Sequence, residues 1–337
     1  MERPWSWAGV SEIRMRSFSQ RRRHGGSSLV EVLVGVTVAL LTVLVVYRVF
    51  GATEALRRDV QGAADAQQTG LFVLWRLAFD IGNTETTVGL FAGDRLVRHW
   101  RLHTTPQRTP DEWAAAFTAQ LTQAGHSTEE IRAAIVASVA PQVTHSVSDG
   151  IEAATTRKPT RVDGRSKLPL VLDVDEPLTV GADRIVNTLA AVELFKQDTI
   201  VVDFGTATTF DCITLDAKRG GRFIGGVIMP GVRTASDELV RKTAKLPATE
   251  LLPPTHAIGR RTEDCIRVGV LWGTADAVDG LVRRIKADWP SKTRPIVVAT
   301  GGLAGLVAPL CKEIESVHAD LTLIGLRIAA TALGLTW

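Results

Sequence analysis

Two aspartate-glycine turns carry the residues best suited to chemistry: Asp80-Ile81-Gly82-Asn83-Thr84 and Asp203-Phe204-Gly205-Thr206-Ala207-Thr208-Thr209. Short apolar runs lead in, Leu77-Ala78-Phe79 for the first and Thr199-Ile200-Val201-Val202 for the second. Val88-Gly89-Leu90-Phe91 and Phe210-Asp211-Cys212-Ile213 lead out. This layout reads as a β-hairpin whose tight loop presents backbone N–H groups, hydroxyls and one carboxylate. Such a loop can hold phosphate oxygens, while the carboxylate holds a metal ion or its waters. A single Asp-x-Gly turn is common in hairpins that bind nothing. Two copies at corresponding places in successive halves point to a duplicated domain gripping a nucleotide between its halves.

The elements that must position these turns are legible from period and punctuation. Arg95 to Thr104 reads as an exposed strand after the Ala92-Gly93-Asp94 turn. Thr109-Pro110-Asp111-Glu112 is a capping box with proline at the first helical position. Trp113, Phe117 and Leu121 follow at helical spacing as core residues, and Gly125 ends that helix. Ala133 to Ala137 reads as a buried strand, Thr144 to Ala154 as a helix, and Leu170 to Asp173 as a further strand. A long helix is expected from Thr262 to Asp288, with Val268, Leu271, Trp272, Ala275 and Val278 on one side. Strands and helices alternate to the end, which predicts mixed α/β sheets.

Composition narrows the function classes. A chain of 337 residues has room for two cores, and 45% hydrophobic with 22% charged residues is ordinary for a soluble enzyme. A net charge of +3 with scattered arginines does not suggest nucleic acid as a partner. Cys212, Cys265 and Cys311 are far apart and form no C-x-x-C pair, which argues against a disulfide scaffold or structural zinc. They read as three buried thiols in a reducing cytoplasm.

Six motifs in order resemble type III pantothenate kinases: Asp80 to Thr87, Ala137-Ser-Val-Ala-Pro141, Gly181-Ala-Asp-Arg184, Asp203 to Asp211, Gly225 to Gly231, and Ala299-Thr-Gly-Gly-Leu303. The resemblance runs from about Leu77 to the C-terminus. It implies a duplicated RNase H-like α/β fold of the actin, Hsp70 and sugar kinase superfamily, with halves at 77–184 and 185–337. The implied reaction is ATP-dependent phosphorylation of pantothenate to 4'-phosphopantothenate, the first step of coenzyme A synthesis, in a cytoplasmic homodimer. Asp80, Ile81, Gly82, Asn83, Thr84, Glu85, Thr86 and Thr87 would form the ATP phosphate loop, with Asp80 holding Mg2+ through water. Thr206 would touch ATP phosphates, and Asp203 would bind a monovalent cation, K+ or NH4+. Gly225, Gly226 and Gly231 would let backbone lie close to the nucleotide, and Gly301 and Gly302 would do so near the adenosine.

Gly181, Ala182, Asp183, Arg184 and Thr262 would contact pantothenate. Taken alone, Asp183 at a helix start reads as an N-cap or dipole partner. The resemblance makes it the general base that accepts the proton of pantothenate's primary alcohol. Arg184 would reach the substrate's carboxylate or a phosphate, or else form a salt bridge that holds the loop. Thr262 alone reads as a helix N-cap. Val174-Asp175-Glu176-Pro177 stands where the family has a tyrosine and an asparagine. That departure leaves room for a second reading, a catalytically weak accessory or regulatory homologue of the same fold.

Residues 1–76 read differently. Arg21-Arg22-Arg23-His24-Gly25-Gly26, then Glu31, then the apolar run Val32 to Tyr47 resemble a type IV prepilin or pseudopilin leader, cut after Gly26. Ser27 departs from the usual phenylalanine. Residues 29–50 are long enough for a single inner-membrane span, and the arginines ahead of it would send everything after it outside. A kinase placed there would have no ATP. No methionine lies between Met15 and Met229, so a kinase starting near Leu77 would initiate at Val73, Leu74 or Leu77. The expectation is a joined frame, a pilin-like fragment ahead of a complete kinase; the alternative is one membrane-tethered kinase.

Overall fold

The structure, a computed structural model, describes residues 74–216 and 220–335. The leader, its cut after Gly26 and the apolar run 29–50 lie outside the described residues. Among the described residues no helix is long and apolar enough to cross a membrane.

Two sheets share one plan. In the first, β1 (Trp75–Ile81), β2 (Glu85–Ala92) and β3 (Arg95–His103) form an antiparallel meander. β4 (Ile131–Ser138) and β5 (Thr160–Val162) add in parallel on the other side of β1, giving the order β3-β2-β1-β4-β5. In the second, β7 (Thr199–Phe204), β8 (Ala207–Asp216) and β9 (Gly220–Pro230) repeat the meander. β10 (Ile296–Thr300) and β11 (Ser316–Val317) repeat the parallel pair, giving β9-β8-β7-β10-β11. The same connectivity, order and strand polarity in both sheets is the duplicated RNase H-like arrangement. β6 (Leu170–Leu172) extends the second sheet beyond β9.

Strand periodicity sorts the cores, because alternate side chains leave opposite faces. Leu77, Phe79 and Ile81 of β1 pack outward with Trp113, Phe117 and Leu121 of α1 (Pro110–Gln123) and Val143, Val147 and Ile151 of α2 (Pro141–Thr155). Ala78 between them faces the opposite way, into a core with Ile185, Val186 and Leu189 of α3 (Ala182–Phe195) and Leu326 of α8 (Leu321–Ala332). β7 does the same: Ile200, Val202 and Phe204 go outward, and Val201 goes inward against Ala190, Ala191 and Leu321. Helices α3 and α8 therefore lie between the two sheets. They cross closely: a Cβ on Gly325 would stand 2.0 Å from the Val186 carbonyl oxygen.

Local signals account for most element bounds. The capping box is present, with Thr109 and Glu112 satisfying each other's backbone N–H groups. α2 begins at Pro141, earlier than Thr144, because proline at the first helical position loses no bond there. The stretch 262–287 is helical throughout but not uniform. It comprises α5 (Thr262–Arg267), a π-helical turn (Val268–Trp272) and α6 (Gly273–Ala287). The wide turn rotates the buried stripe, so Leu271, Ala275 and Val278 are buried as expected, whereas Val268 and Trp272 are only partly so. α4 (Val232–Lys242) and the short α7 (Ala304–Val307) complete the second half. Cys212 is buried and Cys311 partly so, but Cys265 is exposed, because it lies on the solvent side of α5.

Candidate active site

Both turns sit at the carboxyl end of the first strand of their antiparallel meander, and they meet. Gly82 N–H donates to the Glu85 carbonyl at 2.9 Å, and Gly205 N–H to the Ala207 carbonyl at 3.0 Å, closing each turn. The tips touch across the two halves, with the Thr84 and Thr206 hydroxyls 3.0 Å apart. Thr206 also anchors the start of α4, its carbonyl accepting from Thr234 Oγ1 at 2.7 Å and from Gly231 N–H at 3.2 Å.

Four aspartates at these turns, in β8 and at the start of α3 are coupled electrostatically. Burial pushes the Asp80 carboxyl well above the ordinary carboxylate range, and the charges of Asp183 and Asp203 push it further. Burial, then Asp183 and Asp211, raise Asp203 to about 7, against a partial offset from the Asn187 amide. That amide donates to Asp203 Oδ2 at 3.3 Å and is itself held by Thr322 Oγ1, which donates to Asn187 Oδ1 at 2.9 Å. Asp183 is also raised by burial, although the Arg184 N–H donates to its Oδ1 at 2.8 Å. Gly181, not Asp183, is the N-cap of α3, and Asp183 is the second residue of the helix. Gly301, at φ +92°, lies where a Cβ would stand 2.3 Å from Asp203 Oδ1, so only glycine lets this loop pass the carboxylate.

Arg184 is tied to the wall of the second sheet. Its Nε donates to Asp211 Oδ1, its Nη2 to the Phe210 carbonyl at 3.0 Å, and its guanidinium lies 4.9 Å from the Phe223 ring centroid. The salt bridge considered for this residue is therefore present. Asp211 is fully buried and its Oδ2 has no hydrogen-bond partner among the described residues. Burial raises it to about 6, with Arg184 opposing. Gly226 faces Asp211 in the β8–β9 register, and a Cβ there would lie 2.4 Å from Arg184 Nη2. The room at Gly226 goes to an arginine of the chain itself.

The remaining expected residues divide. Ile81 is buried in the core and offers only backbone, its carbonyl accepting from Val139 N–H at 3.0 Å. Thr86 is buried, its hydroxyl 2.9 Å from that of Thr104. Asn83, Thr84 and Glu85 are exposed, with Glu85 3.8 Å from Arg101, and Thr87 is half-buried. Ala182 is buried beneath the start of α3. Thr262 is exposed as the first residue of α5, with Arg261 as the cap, and no hydrogen bond links it to the aspartates among the described residues. A cavity of about 300 Å³ lined by Leu170, Leu172, Pro177 and Ile185 among others includes none of the four aspartates. In the sequence Asp211 stands out only as the last residue of the Asp203–Asp211 motif, and Asn187 carries no signal beyond its place in a helix. An aspartate set inside the apolar run Phe210-Asp211-Cys212-Ile213 was the available signal.

A family model described as type III pantothenate kinase matches residues 76–284. A type III pantothenate kinase of Thermomicrobium roseum is 43% identical over 253 residues, covering 75% of this chain and 95% of that protein. Those of Moorella thermoacetica and Geobacter sulfurreducens are each 40% identical over 252 residues, covering 75% of this chain and 97% and 96% of theirs. On the family match and these identities, the chain belongs to the type III pantothenate kinase family.

Proposed function

We propose that this chain transfers the γ-phosphoryl group of ATP to the primary alcohol of pantothenate, with Asp183 as general base. The observation that carries this is the meeting of the Asp80 and Asp203 turns through Thr84 and Thr206, with Asp183 electrostatically coupled to both aspartates below. Phosphoryl transfer needs positioning, charge neutralisation and a proton acceptor. Backbone N–H groups and hydroxyls of residues 80–87 and Thr206 supply the first. A raised proton affinity suits Asp183 to the third, since a base works best when its pKa approaches the working pH.

Three mutually repelling carboxylates fit a site that takes cations with its substrate. Among the described residues no three His, Cys, Asp or Glu side chains converge to hold a metal alone. That matches Mg2+, which favours one or two carboxylates, water and substrate phosphates. Asp80 would hold hydrated Mg2+ and Asp203 a K+ or NH4+ ion; bound there, these ions neutralise phosphate charge. Gly181, Ala182, Asp183 and Arg184 would line the pantothenate site. Exposed Thr262 fits a pocket completed by the partner in a homodimer. The halves are proposed at 77–184 and 185–337, a division that falls inside α3. The segment read as a pilin-like leader is proposed to lie outside the kinase core except for Trp75 and Arg76, which β1 takes into the first sheet; the kinase core would work in the cytoplasm.

The test is the purified full-length chain with ATP, Mg2+, K+ and pantothenate, followed by mass spectrometry for 4'-phosphopantothenate. A folded protein that binds ATP and makes no product at high enzyme concentration would overturn the kinase reading and support the accessory one.

A further inference from the structure

The duplicated plan lets the two halves be compared position by position. Asp80 pairs with Thr87 and Asp203 with Thr209, so two residues deeper into each hairpin the pairs are Ala78 with Gly89 and Val201 with Asp211. Gly89 and Asp211 are therefore equivalent. Each faces the third residue of a central helix. A Cβ on Gly89 would stand 3.0 Å from Cδ1 of Leu323, the third residue of α8. Asp211 instead holds Arg184, the third residue of α3. One copy of the contact is apolar packing, and the other is a buried ion pair.

Burying an ion pair gains little stability over apolar packing, because the cost of desolvating both charges offsets their attraction. Yet the second half builds four features around this one: the Asp211 carboxylate, the Phe210 carbonyl, the Phe223 face, and the missing side chain of Gly226. Each fixes the guanidinium, and the guanidinium belongs to the residue next to Asp183. Arg184 N–H also donates to Asp183 Oδ1 at 2.8 Å, and the Arg184 carbonyl accepts from Thr188 Oγ1 at 2.8 Å. The clamp therefore reaches the carboxylate through a single peptide unit.

We infer that Asp211 is a positioning residue for the phosphoryl transfer: by clamping Arg184 to β8 it sets the first turn of α3 and the aim of Asp183. This rests on Asp183 being the base. Asp211→Ala removes the acceptor, while Asp211→Asn keeps an oxygen of the same shape.

In the full-length chain, Asp211→Ala should lower kcat by about 30- to 100-fold, and Asp211→Asn should recover most of that, to within about tenfold of wild type. KM for ATP should stay within about twofold in both. In an Asp183→Asn background, Asp211→Ala should add less than about threefold, because its effect passes through the missing base. Multiplicative losses in that double variant would overturn the inference. So would an Asp211→Ala protein that melts earlier but keeps wild-type kcat. Should Asp211→Ala not fold, Asp211→Asn decides: kcat reduced about three- to tenfold at unchanged KM for ATP supports the clamp, and unchanged kcat overturns it. Failure of the base reading is seen separately, as an Asp183→Asn single variant with near-normal turnover.

Discussion

The halves share strand order and hairpin register, yet they spend the shared positions differently. In the first, the position two residues inside the turn aspartate is Gly89, crowded by Leu323, Leu96 and Phe91. In the second it is Asp211, buried and bonded to Arg184. The second residue of α8 is Thr322 and that of α3 is Asp183. After duplication a fold needs both halves to pack, but a reaction needs only one base. The first sheet would contribute the proposed phosphate turn beside apolar packing at Gly89, and the second turns the same contact into an ion pair.

The largest test of that asymmetry compares Asp183 with Thr322. Asp183→Asn should lower turnover by about 10²–10⁴ with ATP binding nearly intact. Thr322→Ala, which loses only the bond to Asn187, should cost less than about tenfold. Steady-state kinetics with a nucleotide-binding assay decide it; equal losses would erase the distinction. If Asp183→Asn cost less than tenfold while ATP affinity collapsed, Asp183 would be a nucleotide residue.

The glycine pair gives the next effect. Alanine at Gly226 would meet the Phe210 carbonyl oxygen at 1.7 Å, a backbone atom that cannot turn away. Denaturant melts of Gly226→Ala should show a loss of about 3 kcal/mol, at the upper end of overpacking costs. Gly89→Ala meets only side-chain ends at 3.0–3.1 Å and should lose about 1 kcal/mol. The reverse order would mean that the β8–β9 contact is the softer of the two.

Titration sharpens the comparison further. Asp203 rises from 3.8 to about 7 in the folded state, so folding takes up a proton. The stability owed to that proton is full below the ordinary carboxylate range and is lost as pH rises through about 7. Asp203→Asn should therefore gain Tm relative to wild type between pH about 4 and about 7, and K+ should narrow the gap by stabilising only the wild type. The same substitution should abolish stimulation of turnover by K+; a variant stimulated as strongly as wild type would place the cation elsewhere. If Asp183 is the base as proposed, it acts deprotonated, and because burial raises its carboxyl, activity should fall on the acid side at a higher pH than for an ordinary carboxylate.

The smallest effect concerns the leader. β1 begins at Trp75, whose ring packs on His126 at 4.0 Å, and Arg76 is buried, so the kinase core starts before Leu77. A chain starting at Val73 should keep kcat within about twofold and sediment with the same oligomeric state as the full-length protein. One starting at Leu77 loses two strand residues and should melt a few degrees lower, on the order of 1–2 kcal/mol. Unfolding of the Val73 form would show that the leader is structural.

What the sequence determined by itself was local: two hairpins with their turn chemistry, the capped α1, alternating core strands, and a carboxylate at the start of α3. Those signals sit within a few residues of one another, where backbone preference and side-chain period act directly. The π-helical turn at 268–272 was not legible, because helix period alone does not register one extra residue absorbed by packing. Only the tertiary structure decided that α3 and α8 lie between the sheets and that Thr84 meets Thr206 across 122 positions. It also decided that Arg184 turns to Asp211, 27 positions away, on a wall made for it by Gly226. A buried charge takes its partner from whatever the fold brings within reach, and that is settled only when the sheets and helices close on one another.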